Sequence, residues 1–352
     1  MNINIFQWRY SLFLILTTSL WLATSNAQAD NLTVTCTAGM NTTAGSTGIV
    51  NLGTITPSNA NNASIPVTLN YSCTNIGDTA GYVSVCLAVD GGDSAPGTLY
   101  PRYMKNAGSN SNPLAFTMTL PDNSIWGSRT YSTQPKEYNS GSLPISASST
   151  ITGNVSVTIS LISGSNNTSA TAGTYSNNFG NGNHTSLTYK SGPNNNAADC
   201  SNGKQGSFRF PFTVQATVIP SCEITATSDI NLGSHSAGTT SIAGNNPNAI
   251  GVKCTNGAPY NIGLAPSNGD VNGTGGMSGT NGNPDKVSYQ LLSSTGLNGK
   301  KWGNTATSTS VGNGVTGTGT GAVQTQPVYV TVPNVDFKPD NYSDRVTIKA
   351  NY

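Results

Sequence analysis

The feature that most constrains this chain is a layout that occurs twice. Cys36 is followed by Asn51-Leu52-Gly53 and then by Cys73-Thr74-Asn75; Cys222 is followed by Asn231-Leu232-Gly233 and then by Cys254-Thr255-Asn256. Beyond the second cysteine each half carries an alternating run, Val83/Val85/Leu87/Val89 and Tyr260/Ile262/Leu264. Met104 precedes Leu114-Ala115-Phe116-Thr117-Met118 by ten positions, as Met277 precedes Val287-Ser288-Tyr289-Gln290-Leu291. Trp126-Gly127 and Trp302-Gly303 follow, then the late runs Val155/Val157/Ile159/Leu161 and Val328/Val330/Val332. Gly173-Thr174-Tyr175-Ser176 corresponds to Asp340-Asn341-Tyr342-Ser343. A long unit present twice marks duplicated domains and not a solenoid. Apolar residues at period two between Gly, Asn and Pro turns predict antiparallel sandwiches with one buried face per strand.

Composition narrows the alternatives. Only 8% of residues are charged and the net charge is +1, so no basic excess exists to neutralise phosphates, and nucleic acid is excluded as a partner. Val, Ile and Thr are plentiful and long helical patterns are absent, which predicts an all-β fold with Gly/Asn/Ser-rich loops. Residues 1–29 read as a secretory signal, with Arg9 in the n-region, an apolar stretch over 11–23 and the cleavage pattern Ala27-Gln28-Ala29. The apolar stretch is shorter than the ~20 residues of a membrane span. The expected division is therefore 1–29 signal, 30–218 an N-terminal domain with long distal loops, and 219–352 a C-terminal domain, joined through the short Ile219-Pro220-Ser221.

Six cysteines suit an oxidising compartment and an even disulfide count. The repeat pairs Cys36 with Cys73 and Cys222 with Cys254. Cys86 and Cys200 remain; joining them would staple a first-half strand to the base of an insertion, and a Cys73–Cys86 link is the rival. With two histidines and no Cys-x-x-Cys, neither a metal nor a cofactor is expected.

The second half, with Cys222, Asn231-Leu232-Gly233, Cys254, Met277, Tyr289, Trp302-Gly303 and Asp340-Asn341-Tyr342-Ser343-Asp344 ahead of a strand ending at Tyr352, resembles the spore coat protein U domain, the subunit type of archaic chaperone–usher pili. One departure is Gly275-Gly276-Met277, which lacks the Arg that Arg102-Tyr103-Met104 retains. A chain with two such domains is similar to the tip adhesin of these pili. The resemblance implies tandem immunoglobulin-like sandwiches, the C-terminal one lacking its last strand and completed by a donor strand from the next subunit. It also implies a periplasmic pilus chaperone and an outer-membrane usher as partners, and passage through the periplasm to the pilus tip on the surface of a Gram-negative cell.

The residues agree with an open edge: Val346, Ile348, Ala350 and Tyr352 fall on one face of the final strand, the expected donor-strand groove, and no further strand is expected after it. Asp30-Asn31-Leu32-Thr33-Val34-Thr35, ahead of Cys36, is shorter than the about ten alternating positions a donor segment needs, which places the chain at a fibre tip. Simple alternation of strands places the first-half connections 39–64 and 90–112 and the insertion 179–205 at the free pole. Leu99, Tyr100, Pro101, Tyr103, Phe179, Leu187 and Tyr189 on these segments would form a sticky patch for hydrophobic, abiotic surfaces and biofilm formation. The alternatives are a glycan-binding pilus adhesin and a structural pilus or coat subunit. No enzyme is expected: His184 and His235 accompany no nucleophile motif, and Asp90 and Asp93 stand in a Gly-rich turn.

Overall fold

The computed structural model describes residues 31–352 apart from 43, 44, 46, 109, 110, 129–135 and 182. The signal expected at 1–29 lies outside the described residues. The first half carries strands β1 (Val34–Met40), β2 (Gly48–Ile55), β3 (Ser64–Asn75), β4 (Gly81–Val89), β5 (Arg102–Asn106), β6 (Leu114–Thr119), β7 (Tyr138–Ile145), β8 (Ser149–Leu161), β9 (Gly173–Asn178), β10 (Thr185–Gly192), β11 (Gly206–Phe208) and β12 (Phe212–Val218). The second carries β13 (Cys222–Ala226), β14 (Thr240–Cys254), β15 (Pro259–Ala265), β16 (Thr274–Ser278), β17 (Lys286–Leu292), β18 (Val315–Thr318), β19 (Gln324–Asn334) and β20 (Thr347–Asn351).

These strands make four sheets. The first half has the orders β1-β3-β8-β6-β5-β9-β12-β2 and β11-β10-β4-β7; the second has β13-β14-β19-β17-β16 and β18-β15-β20. All pairings are antiparallel except β12 with β2. Alternation decides which side faces inward. On β3, Val67, Leu69, Tyr71 and Cys73 are buried and their neighbours are more open. One apolar cluster spans Val34 to Val218 and a separate one Ile242 to Val332, so each half has its own core.

Two anchors recur in both cores. The indoles of Trp126 and Trp302 are fully buried and donate to the carbonyls of Leu87 and Ile262, both at 2.9 Å. The hydroxyl of Tyr175 donates to the Thr171 carbonyl at 2.9 Å, and that of Tyr342 to Lys338 at 2.7 Å. Both are tyrosine corners of the immunoglobulin-like kind, which pin the entry into a late strand. The Asn-Leu-Gly motif is a local turn: Gly53 and Gly233 both have φ of 81°, where a Cβ is strained, and their N–H groups bond Asn51 and Asn231 Oδ1 at 2.8 Å.

The disulfides are Cys36–Cys73, Cys86–Cys200 and Cys222–Cys254. The first and third join direct register partners of paired strands. Cys86–Cys200 does something different. Ser84, Cys86 and Ala88 lie on the outer side of β4, yet all are buried. The turn Cys200–Asn202 covers them, and the Cys200 amide donates to Ser84 Oγ at 2.6 Å. The insertion is thus a lid over the smaller sheet, and it includes β10, which has a counterpart in the second half.

The strand directions correct two expected loop positions. β12 ends at the junction and β2 runs parallel to it, with Val218 opposite Ile55. The later part of the 39–64 connection therefore meets the second half, where Lys253 Nζ donates to the Pro57 carbonyl at 2.8 Å. The 90–112 connection starts at mid-height, where the Asp93 amide bonds the Asn178 carbonyl at 3.0 Å, and runs back toward the junction. The free pole is instead built from residues 31–33, 76–80, 146–148 and 193–205, beyond the Asn75–Ser149 pair that ends the β3–β8 ladder.

Replacing Cys86 and Cys200 together by Ala is expected to lower the stability of the first half by about 4–5 kcal/mol, since the bridge closes a 114-residue separation. Removing Cys36–Cys73, with a separation of 37, should cost about 1 kcal/mol less. Denaturant unfolding, with the m-value fitted for each variant because the uncrosslinked denatured chain exposes more surface, would check the order.

Candidate functional site: an unfilled strand position

Strand by strand, the second half repeats the first. β13, β14, β15, β16, β17, β18, β19 and β20 take the places of β1, β3, β4, β5, β6, β7, β8 and β10. Registers agree as well: the residue after Met104 pairs as Lys105 with Ser176, and the residue after Met277 as Ser278 with Ser343. Four strands have no counterpart strand among the described residues: β2, β9, β11 and β12, with residues 340–345 standing at the place of β9.

In the first half, β12 fills a slot between two others. It runs antiparallel to β9, from Thr213–Asn178 to Val218–Gly173, and parallel to β2, from Phe212–Gly48 to Val218–Ile55. Phe212, Val214, Ala216 and Val218 point inward and are buried. Phe212 stacks on Phe179 with ring centroids 4.5 Å apart. Upstream, β11 continues the same strand along β10.

The corresponding slot in the second half has walls and, among the described residues, no strand between them. One wall is residues 227–239, which carry Asn231-Leu232-Gly233 in the turn seen on β2 but form no strand. The other is residues 340–351. β20 pairs only with β15 among the described residues, and the stretch before it makes the single bridge Ser278–Ser343. Apolar side chains that a filled slot would cover are only partly buried here: Ile230, Leu232, Phe337, Tyr342, Val346 and Ile348. Tyr342 contrasts with its counterpart Tyr175, which is wholly buried. Val346, Ile348 and Ala350 alternate with the exposed Thr347 and Lys349, and Tyr352 stands out at 51% exposed.

Polar ties hold the second wall in place. The Asp340 carboxylate accepts from the Thr280 hydroxyl, from the Thr280 amide at 2.9 Å and from Asn283 Nδ2 at 2.8 Å. The Thr280 and Asn283 hydrogen bonds lower its pKa from 3.8 to about 2. Tyr289 donates to Asp344 Oδ2 at 2.6 Å. Burial, then the Asp344 carboxylate, pushes the Tyr289 hydroxyl up. Burial alone would raise Asp344, but bonds from Ser267 and Tyr289 outweigh it and the pKa falls. Both acids therefore act as anchored acceptors that tie 340–345 to the turn between β16 and β17 and to Tyr289 of β17.

The residues expected to form an adhesive patch separate. Phe179 and Leu187 are buried in the first core at 1% and 0% exposure, and Leu99 is buried as well. Phe179 is drawn in by stacking on Phe212, and Leu187 by its inward position on β10. These three are corrected: Leu187 faces inward on β10, Phe179 packs on the ring of Phe212, and Leu99 is buried within the connection between β4 and β5, so none of them is a surface group. Tyr100 is 51% exposed, on the flank; Pro101, Tyr103 and Tyr189 are half-buried. Ile76, which the sequence reading passed over, is 69% exposed at the free pole. Its signal was an apolar residue inside the turn Asn75-Ile76-Gly77-Asp78. Among the described residues no group of three or more His, Cys, Asp or Glu could hold a metal ion.

With this geometry in place, comparison with known proteins is informative. The family model described as Spore Coat Protein U domain matches residues 209–349, the stretch that contains the unfilled sandwich. Comparison with curated protein sequences finds no match. Among solved structures the chain is similar to the chaperone–tip adhesion subunit pre-assembly complex CsuC–CsuE from archaic chaperone–usher Csu pili of Acinetobacter baumannii. That likeness has 14% identity, 90% of this chain and 100% of the other covered, and a TM-score of 0.49. It is also similar to the CupB6 tip adhesin of Pseudomonas aeruginosa (12% identity, 91% and 96% covered, TM-score 0.33) and to CfaE, the adhesive subunit of CFA/I fimbria of enterotoxigenic Escherichia coli (11%, 87% and 92%, 0.30).

Asp340→Asn is expected to destabilise the second half at neutral pH. Because the folded pKa is depressed, the carboxylate's contribution is complete above 3.8 and disappears as pH falls through about 2. The difference in midpoint between Asp340→Asn and the parent chain should therefore shrink to nothing over that window in urea titrations at stepped pH.

Proposed function

We propose that the second half is a strand acceptor, and that the chain is the tip adhesin subunit of an archaic chaperone–usher pilus. One observation carries the reading: the same sandwich occurs twice, filled by its own β11–β12 in the first half and unfilled in the second. An open sheet edge beside a partly exposed apolar trough is the recognition surface for an extended peptide; backbone hydrogen bonds give affinity and alternate side chains give fit. The occupant would copy β12: antiparallel to 340–346, parallel to 228–236, apolar at every second residue. Before assembly a periplasmic chaperone would supply that strand, and in the fibre the next subunit, with an outer-membrane usher directing the exchange. The spore coat protein U match over 209–349 supports this assignment. A first half that completes itself leaves one acceptor per chain, as a terminal subunit needs. Domain limits of 30–218 and 219–352 and export through the periplasm to the cell surface belong to the same proposal.

A self-complementation experiment tests the acceptor. Appending a copy of residues 206–218 behind a short turn after Tyr352 should give a monomer whose second half melts about 10 °C higher or more. A copy with Ser at the positions of Phe212, Val214 and Ala216 should give no gain. Equal melting of the two fusions sinks the acceptor reading.

For attachment, we propose contact with hydrophobic, abiotic surfaces and biofilm formation, carried by the exposed Ile76 and Tyr100 with the half-buried Pro101, Tyr103 and Tyr189 beside them. Ile76→Ser with Tyr100→Ser should largely abolish retention on polystyrene while pili remain assembled and countable. A second reading is favoured by one feature: a cleft of about 350 Å³ near the free pole, lined by Ser84, Asn139, Ser142, Asn195, Asp199 and Asn202. Amide, hydroxyl and carboxylate groups of this kind suit a glycan. Glycan-array binding without polystyrene retention would favour that reading over the apolar one.

A further inference from the structure

His184, immediately ahead of β10, makes contacts that the strand-acceptor reading does not use. Its side chain is 11% exposed. Nδ1 lies 3.0 and 2.9 Å from the two oxygens of Asp90, and Nε2 lies 2.7 Å from Asp93 Oδ1. A neutral imidazole has one N–H and one lone pair. Both nitrogens can donate to ionised carboxylates only when the ring is imidazolium. A neutral ring leaves a lone pair aimed at one of the two carboxylates.

Both acids come from the loop that follows β4, and that loop leads to the exposed Tyr100. The remaining ties of this loop do not depend on the imidazole. The Asp90 amide bonds the His184 carbonyl at 2.9 Å, Asn177 Nδ2 donates to the Gly91 carbonyl at 2.9 Å, and the Asp93 amide bonds Asn178 at 3.0 Å. Asp93 Oδ2 also accepts from Asn181 Nδ2 at 2.9 Å. The path of the loop is tight, since Gly92 has φ of 70° and a Cβ there would stand 2.2 Å from Asn177 Oδ1.

Other charged groups also face this cluster. Arg102 of β5 is fully buried, with Nε on the Asp90 carbonyl at 2.8 Å and Nη2 on the Trp126 carbonyl at 2.6 Å. Burial, against the nearby Asp90 charge, lowers its pKa to about 9, so at neutral pH it is still a cation. Arg209, ahead of β12, donates to the Thr185 carbonyl and to Asn183 Oδ1 at 2.7 Å. Lys105 Nζ donates to the Ser94 carbonyl at 2.9 Å. These cations disfavour a charged His184 and the two carboxylates favour it.

The geometry points to a pH-sensitive clasp: protonated His184 pins residues 90–95 to the head of β10, and loss of its proton removes one of the ring's two carboxylate bonds and loosens the loop that presents Tyr100. Burial alone would lower the His184 pKa; hydrogen bonds and charge from Asp90 and Asp93 outweigh it, and the pKa is raised above 6.5. A raised folded pKa means that the clasp's stabilisation is complete below 6.5 and is lost as pH rises through the folded value. Its release is therefore on the alkaline side.

The chain has two histidines, so His235→Gln leaves His184 as the only imidazole signal in an NMR titration of the full chain. The expected midpoint lies above 6.5, with both ring nitrogens protonated below it. Amide exchange over 90–101 should quicken about tenfold beyond the intrinsic pH effect once that midpoint is passed, as loss of one charged hydrogen bond requires. Asp93→Asn, which keeps the shape and removes the charge, should lower the midpoint and flatten the exchange step. A midpoint at or below 6.5, a midpoint unmoved by Asp93→Asn, or exchange that follows the intrinsic rate throughout would each overturn the clasp.

Discussion

The structure depends on one requirement, that each strand edge and the apolar surface beside it be covered. Backbone N–H and C=O groups at a sheet edge need partners, and an uncovered apolar stripe beside them stays in contact with water. The first half meets the requirement with its own β11–β12 strand, which lies between β9 and β2 and buries Phe212, Val214, Ala216 and Val218. The second half leaves it unmet along 227–239 and 340–351. The proposed chemistry of the chain follows from this asymmetry. No reacting group is needed, only an edge, a trough and a correct spacing between them.

The two halves reach a common frame by the same devices. A buried indole donates into the strand after the second cysteine, a tyrosine corner sets the entry to the late strand, and a disulfide locks the first strand pair in register. They differ in how each is covered. The Cys86–Cys200 turn closes over the outside of β4 in the first half, and stacked Phe179, Phe210 and Phe212 fill its centre. In the second half Asp340 and Asp344 brace a wall across which no strand of the described residues is paired.

Much of this was legible in the chain itself. The repeated cysteines, the Trp-Gly pairs and the ten-residue spacing after each Met mark positions where the physical demand is local or repeats exactly, so equivalent residues turn up in equivalent registers. The pairing of both cross-strand disulfides follows from the same repetition. The position of the loops was not legible. β2 carries few buried residues and so gives a weak alternation, and it read as part of a long connection instead of a strand beside β12. That one missed strand moved residues 55–63 from the free pole to the junction. Phe179 and Leu187 read as loop residues for the same reason: an aromatic or aliphatic residue among Asn, Gly and Ser carries no local mark of whether it faces water or another ring.

The sequence by itself determined the all-β class, the two-fold duplication, the two repeated cysteine pairs and the apolar alternation of the last strand, because each is a matter of period, spacing or residue type. Only the tertiary structure decided that one sandwich is filled and the other is not. It also decided which apolar side chains are exposed, and that His184 meets two carboxylates from a loop some ninety residues earlier in the chain. These depend on which segments become neighbours across a sheet or between sheets. Neighbours of that kind are set by long-range backbone pairing, and no local pattern along the chain records it.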